Sequence, residues 1–119
     1  MAKSVTRART RAFQRQLGRC HYCNVSMWID NLPEFASKHG LSLGLARPLQ
    51  CTAEHLHARC DGGSDSQTNI VAACRLCNWR RHARRKVKAT PEAYRRLVQR
   101  RVNARRWHAD PVFRQGLLR

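Results

Sequence analysis

Residues 51–82 read CTAEHLHARCDGGSDSQTNIVAACRLCNWRRH, and this stretch decides the fold. Segments 51–57 and 70–73 have the length of short strands. Segment 59–68 lies between them and contains Asp, Ser and two adjacent glycines, which are typical of a loop. A helix should follow over about 75–88. The sequence therefore predicts a strand–loop–strand–helix unit.

The chain contains two C-x-x-C pairs, one at 20–23 ahead of this unit and one at 74–77 between its second strand and its helix. At this spacing, two thiolates from one tight turn occupy adjacent corners of a tetrahedron around Zn²⁺, so two pairs complete a site. A closed site of this kind stabilises the fold and leaves no open coordination position for catalysis. The predicted structural zinc ligands are Cys20, Cys23, Cys74 and Cys77.

Charge limits the choice of partner. The chain has 119 residues, with 24 Lys and Arg against 7 Asp and Glu, and its formal net charge is +17. Self-repulsion on this scale is usually tolerated for a polyanionic partner. The length suits one domain over 1–119, with a basic N-terminal helix at 1–19, a zinc-stapled core at 20–88 with an insertion at 24–50, and a basic C-terminal helix and tail at 89–119.

The remaining cysteines and the hydropathy pattern indicate the compartment. No run of 18 apolar residues and no signal-peptide core is present, so we expect a chain that neither spans a membrane nor is secreted. In a reducing compartment, paired cysteines favour metal binding over disulfides. We expect the leftover Cys51 and Cys60 to be buried thiols, with a local disulfide or a second weak metal site as alternatives.

Helices are predicted on both sides of the central unit. The first covers about 4–17, with Ser4 as its N-cap and Gly18 as its stop signal. A short one covers 32–39, segment 41–50 is irregular, and the last runs from 90 to about 108. The apolar stripe of the first helix consists of Val5, Ala8, Ala12, Phe13 and Leu17.

Five polar residues complete the pattern, namely Glu54-His55, Asn69, Asn78 and His82. Asn78 and His82 are four apart on the predicted helix and therefore share one face. Together with the cysteine pairs and the double glycine, their order and spacing resemble the HNH endonucleases, also called ββα-metal or His-Me finger nucleases.

This resemblance implies an α+β fold with a small ββα-metal core, and it implies specific residue roles. His55 is the general base, Asn69 orients it, and one divalent cation is held by Glu54, Asn78 and His82, of which His82 is the strongest candidate. Histidine suits the role of base because its ordinary pKa is about 6.5. The cation would be Mg²⁺, Mn²⁺ or another divalent ion that neutralises charge on the leaving oxygen. The resemblance also implies a bacterial or phage-infected cytoplasm.

Arginines in the last third of the chain are the predicted DNA-binding residues. They would contact phosphates, which gives affinity without sequence specificity. We expect Trp79 and Trp107 to pack in the core, with stacking on bases as the alternative for each. The predicted phosphate contacts are Arg80, Arg81, Arg84, Arg85, Arg95, Arg96, Arg100 and Arg101.

Two alternatives to a nuclease remain open. One is a non-catalytic, zinc-stabilised nucleic-acid-binding subunit of a larger nucleoprotein assembly. The other is a basic RNA-binding ribbon of ribosomal type, which explains the charge and the cysteines but gives no reason for the placement of Glu54-His55 and Asn69. The nuclease interpretation is compatible with a protein partner that supplies targeting.

Overall fold

An antiparallel pair of strands and the helix that follows them occupy the centre of the computed structural model, which describes residues 3–83 and 89–118. Strand β1 is Cys51–His55 and strand β2 is Ile70–Cys74. Helix α4, Arg75–Ala83, follows β2 without a break. The predicted α+β class and the ββα order are confirmed. Residues 84–88, the rest of the predicted helix, lie outside the described residues.

The loop between the strands folds back so that its backbone at Gly63 lies against residues just after β1. β1 ends two residues earlier than predicted, although the Leu56 amide still donates to the Asn69 carbonyl at 2.9 Å. Short 3₁₀ turns lie at Arg59–Asp61 and Gln67–Asn69. A Cβ atom at Gly63 would collide with the backbone carbonyl of His57, so this close approach requires glycine.

Helix α1, Lys3–Arg15, packs on the sheet. Its buried residues are Val5, Ala8 and Ala12, as the apolar stripe predicts. Just after the helix, the Gln16 amide donates to the Ala72 carbonyl at 2.8 Å and accepts from the Ala72 N–H at 3.0 Å. The Gln16 side chain therefore bonds the free edge of β2 as a neighbouring strand would.

The ends of α1 differ from the prediction. Ser4 lies inside the helix rather than at its N-cap, and the helix ends at Arg15. Leu17 has φ 56° and is 86% exposed, so its assignment to the apolar stripe is wrong. The left-handed turn at Leu17 and Gly18 points the leucine side chain away from the sheet.

The insertion carries two short helices. Helix α2, Leu32–Lys38, begins as predicted, because the Asn31 side chain accepts from the Glu34 N–H at 3.1 Å. Helix α3, Leu43–Ala46, and a 3₁₀ turn at Arg47–Leu49 replace the irregular segment that was expected.

The chain after residue 89 forms two helices instead of one. Helix α5, Pro91–Asn103, starts at a Thr90 cap, but it ends five residues earlier than predicted. Arg105 adopts φ 57°, and helix α6, Asp110–Arg114, follows. The turn at Arg105 brings Trp107 and His108 back into the interior, where an uninterrupted helix would not carry them. No helix among the described residues is long and apolar enough to cross a bilayer.

Candidate active site and metal cluster

Four buried cysteine sulfurs converge where the first turn of the chain meets the end of β2. All four Sγ atoms lie within 4.8 Å of one another, and those of Cys23 and Cys74 are 3.8 Å apart. A tetrahedral ion with Zn–S bonds of about 2.3 Å places neighbouring sulfurs roughly 3.8 Å apart. The cluster therefore has the dimensions of a Cys₄ metal site, formed by Cys20, Cys23, Cys74 and Cys77.

Hydrogen-bond donors surround these sulfurs. Backbone N–H groups of Tyr22 and Cys74 donate to Cys20 Sγ at 3.4 and 3.2 Å. The Trp107 indole donates to Cys77 Sγ, and His108 Nε2 lies against Cys23 Sγ, each at 3.2 Å. Donors of this kind stabilise thiolates, which are the form that binds metal.

The ionisation of the cluster also fits a bound cation. Burial raises the pKa of the Cys23 and Cys77 thiols well above their usual value. Burial opposes ionisation of Cys20 as well, but hydrogen bonds from the other cysteines outweigh it and lower the pKa of Cys20. Because four adjacent thiolates cannot coexist in an apolar interior without positive charge, a metal ion is the natural counter-charge.

The two remaining cysteines are not joined by a disulfide. Cys51 is buried as expected, and its burial raises the pKa of the thiol to about 12. Cys60 is exposed, so the expectation that it is a buried thiol is wrong. It lies in the 3₁₀ turn of the loop rather than on a strand.

Glu54 is the most unusual side chain of the ββα unit because it is a carboxylate with only 1% exposure. Its Oε2 accepts from the Tyr22 hydroxyl and from the Arg81 guanidinium, each at 2.8 Å. Its Oε1 lies 2.8 Å from His82 Nε2. One oxygen is thus fixed by two donors, and the other faces the histidine predicted to bind metal.

Arg81 connects this carboxylate to the end of β1. Its guanidinium also donates to the carbonyls of His55 at 3.2 Å and Leu56 at 3.1 Å. The side chain is 9% exposed, so the structure directs it inward rather than toward a DNA surface. The same surroundings affect Tyr22, whose pKa is raised by burial and by the neighbouring Glu54.

His55, the predicted base, ends β1 and contacts the loop. Its Nε2 lies 2.9 Å from Asp65 Oδ1, and Arg59 donates to the same oxygen at 2.7 Å. Hydrogen bonds from Arg59 and from His55 hold the pKa of Asp65 below its usual value. Because a carboxylate only accepts, a neutral His55 carries its hydrogen on Nε2 and keeps its lone pair on Nδ1.

Asn69 and Asn78 both bond to the backbone. The Asn69 amide accepts from the His57 N–H at 2.8 Å and donates to the carbonyls of His57 at 3.0 Å and Ser64 at 2.7 Å, so it closes the loop that follows His55. The Asn78 amide donates to Thr52 Oγ1 and to the Ala53 carbonyl. Within the described residues, its hydrogen bonds tie α4 to β1 and do not reach Glu54 or His82.

Glu54 and His82 have donor atoms that fit a divalent cation. Neighbouring ligands of an octahedral Mg²⁺ with bonds of about 2.05 Å lie roughly 2.9 Å apart, close to the 2.8 Å between Oε1 and Nε2. Among the residues that the structure describes, the cysteines are the only cluster of three or more metal-binding side chains. The pair would therefore leave other positions to water and phosphate oxygens, as is usual for Mg²⁺.

Exposed arginines line one surface of α5. Arg95, Arg96, Arg100 and Arg101 are all exposed, while Tyr94 and Val98 on the other face are buried. Arg80 stacks over the Trp107 ring at 4.6 Å and donates to the Trp107 carbonyl. Arg84 and Arg85 lie outside the described residues.

The segment that contains these groups corresponds to a known family. Residues 41–84 match the family model of the HNH endonuclease. The predicted resemblance to HNH endonucleases is confirmed over these residues. The HNH segment holds both strands, α4, His55 and the Glu54–His82 pair, and an HNH domain indicates a function of nuclease type. Among curated proteins and solved structures, no significant match to the chain is found.

Three residues that contact the predicted site are absent from the sequence-based prediction or have another role in it. Tyr22 lies between the first pair of clustered cysteines, Asp65 lies in the loop, and Arg81 stands among many arginines. The position of Arg81 beside His82 is the one signal in the sequence, since a buried carboxylate next to the predicted base requires a cation. The contact of Asp65 depends on the path of the loop.

Proposed function

We propose that this protein is a metal-dependent DNA endonuclease of the HNH type. The observation that carries the proposal is the buried Glu54 carboxylate, which directly precedes His55 on β1. One of its oxygens accepts from Arg81 and Tyr22, and the other lies 2.8 Å from His82 Nε2. A carboxylate and an imidazole adjacent to a second histidine supply a cation site and a base, which together suit phosphodiester hydrolysis.

His55 acts as the general base. Its Nδ1 takes a proton from water as the water oxygen attacks the phosphorus atom, while the Asp65 carboxylate fixes the ring through Nε2. The bond between phosphorus and the 3′ oxygen then breaks, the 3′ oxygen takes a proton from a second water, and the products carry 5′-phosphate and 3′-hydroxyl ends, as the family resemblance implies. Asn69 contributes by closing the loop that holds Asp65 near the base.

Glu54 and His82 would hold the catalytic cation, Mg²⁺ or Mn²⁺. Bound there, the cation would neutralise negative charge that develops on the phosphate and the leaving oxygen. Asn78 stays the predicted third ligand through its amide oxygen, while its amide nitrogen donates to β1 and positions α4.

The cysteine cluster binds a structural Zn²⁺, and the arginines of α5 bind the DNA backbone. Four thiolates close the zinc coordination sphere, so this metal stabilises the fold. The exposed guanidiniums of Arg95, Arg96, Arg100 and Arg101 contact phosphates and give a salt-dependent affinity. Arg81 is excluded from this set because its guanidinium is committed to Glu54.

Nicking of supercoiled plasmid tests the proposal. Zinc-loaded native protein and its His55→Ala variant are compared with and without Mg²⁺ or Mn²⁺, after both are shown to bind DNA equally. We expect metal-dependent nicking by the native chain and a loss of at least about 100-fold in the variant. Tight DNA binding without nicking by either protein would instead favour a non-catalytic binding subunit.

A further inference from the structure

Trp79 differs from the other tryptophans in being largely outside the fold. Its exposed fraction is 68%, so the expectation that it packs in the core is wrong, whereas Trp107 is buried as expected. The Trp28 and Trp107 indoles donate to groups of the interior. Within the described part of the chain, Trp79 has no such hydrogen bond and no ring partner.

The exposed indole stands between two depressions of the surface. One, of about 310 Å³, is lined by Trp79 together with Thr52, Asn78 and His82. The other, of about 370 Å³, is lined by Trp79 together with Arg47 and Pro48. Arg75 lines both depressions. A flat ligand therefore has space to lie against the indole.

The charge around the indole selects an anionic ligand. Arg47 and Arg75 are exposed, and no carboxylate pairs with either one in the described parts of the chain. Among the residues that the structure describes, no acidic residue lines either depression. An indole flanked by unpaired guanidiniums matches a flat ring joined to phosphates, which is the chemistry of a nucleotide.

The exposed indole of Trp79 lies close to the candidate cation site. Trp79 and His82 are three residues apart on α4 and line the same depression. Side chains at this spacing have Cβ atoms about 5–6 Å apart. A strand with a phosphate at His82 therefore presents a base of the same or the adjacent nucleotide to Trp79.

We propose that Trp79 stacks on an unpaired base of the substrate strand, next to the phosphate that is cut. Duplex DNA covers both faces of every base, so an indole reaches a base face only where the base is single-stranded or displaced from its stack. The inferred substrate class is DNA with unpaired nucleotides at the cleavage point. This inference rests on the proposed nuclease function.

Tryptophan fluorescence tests the stacking directly. The zinc-loaded His55→Ala chain, which leaves the probe intact, is titrated with a short oligothymidylate, with a blunt duplex of equal length, and with inorganic polyphosphate. We expect the oligothymidylate to quench the emission of Trp79, and polyphosphate to bind without quenching it. In a chain that also carries Trp79→Ala, the quenching should disappear.

Affinities measured by anisotropy provide the second readout. Trp79→Ala should weaken binding of the single strand by at least about fivefold and leave duplex binding unchanged. Leu43→Ala removes another exposed apolar side chain and should change neither affinity. Equal single-strand affinity with and without Trp79, or the same quenching by polyphosphate, would overturn the inference.

The two proposals fail in different ways. If the native chain nicks plasmid but Trp79→Ala leaves single-strand binding intact, the stacking inference is wrong and the nuclease proposal stands. If Trp79 is quenched by the single strand but no metal supports nicking, the binding surface stands and the nuclease proposal is wrong.

Discussion

Glu54 shows at the scale of single residues how this site combines burial with charge. Burying a carboxylate to 1% exposure is costly unless hydrogen-bond donors and cationic groups surround it, and Arg81, His82 and Tyr22 surround Glu54. The sequence motif predicts that Glu54 and His82 share a site, because the family pattern fixes their spacing. It does not predict the partners of Glu54 on its other oxygen, because these come from a distant turn and a crowded arginine run.

Arg81→Met leaves the Glu54 carboxylate buried without its strongest partner. We expect a loss of about 3–5 kcal/mol in the free energy of unfolding, measured by chemical denaturation. The double variant Arg81→Met with Glu54→Gln should lose clearly less than the sum of the two single variants, since neither charge then remains buried alone. Additive losses would contradict the coupling.

Asp65 fixes the ring of His55, so its removal should slow catalysis without weakening DNA binding. Asp65→Asn should lower the nicking rate at least about tenfold, because the amide does not hold the same tautomer. The matched control is Glu34→Gln, which removes an equal charge from the exposed surface of α2. Equal nicking rates in the two variants would show that Asp65 does not act on the base.

The elements were predictable where local pattern determines them and not where distant contacts do. The two strands follow from short runs of strand-forming residues, and α2 follows from its Asn31 cap. The ends of all three elements agree with the prediction within two residues. The end of α5 was missed, because the apolar pattern of Leu97, Val98 and Val102 gives no reason to stop. The left-handed turn at Arg105 is stabilised by the packing of Trp107 and His108, which lie farther along the chain.

The loop between the strands depends on one glycine. Gly63→Ala places a methyl group against the His57 carbonyl and should lower the free energy of unfolding by about 2 kcal/mol or more. The control is Gly44→Ala in α3, where an added Cβ meets nothing within 4 Å and should be neutral or stabilising by about 0.5–1 kcal/mol. Thermal melts of both variants check this, and indistinguishable melting temperatures would refute the clash.

The cysteine cluster lies where several distant segments of the molecule meet. It joins the turn after α1, the end of β2, the start of α4 and, through Trp107 and His108, the chain beyond α5. The sequence predicted the four clustered cysteines because their spacing is specific. It gave no sign that the side chains of Trp107 and His108 contact their sulfurs. For a chain of net charge +17, a metal bound by these cysteines would cross-link distant segments and offset strong self-repulsion.

Removal of zinc should therefore unfold the protein rather than merely loosen one turn. We expect a chelator to abolish the cooperative thermal transition and the near-ultraviolet dichroism of the buried aromatic residues, and added Zn²⁺ to restore both. Cys74→Ser, measured with zinc present, should behave like the chelated protein. An unchanged melting temperature after complete metal removal would contradict a structural role for the cluster.

Glu54 and His82 are proposed to hold the cation that His55 needs for phosphodiester cleavage. The most direct measurement is the rate of plasmid nicking over a Mn²⁺ titration, for the native chain and for His82→Ala, with zinc content and DNA affinity shown to be equal. His82 is 41% exposed in its side chain, so the variant should fold. We predict that the variant needs at least about tenfold more Mn²⁺ for half-maximal rate. An identical metal dependence in the two proteins, or nicking by the native chain without any divalent cation, would contradict the account.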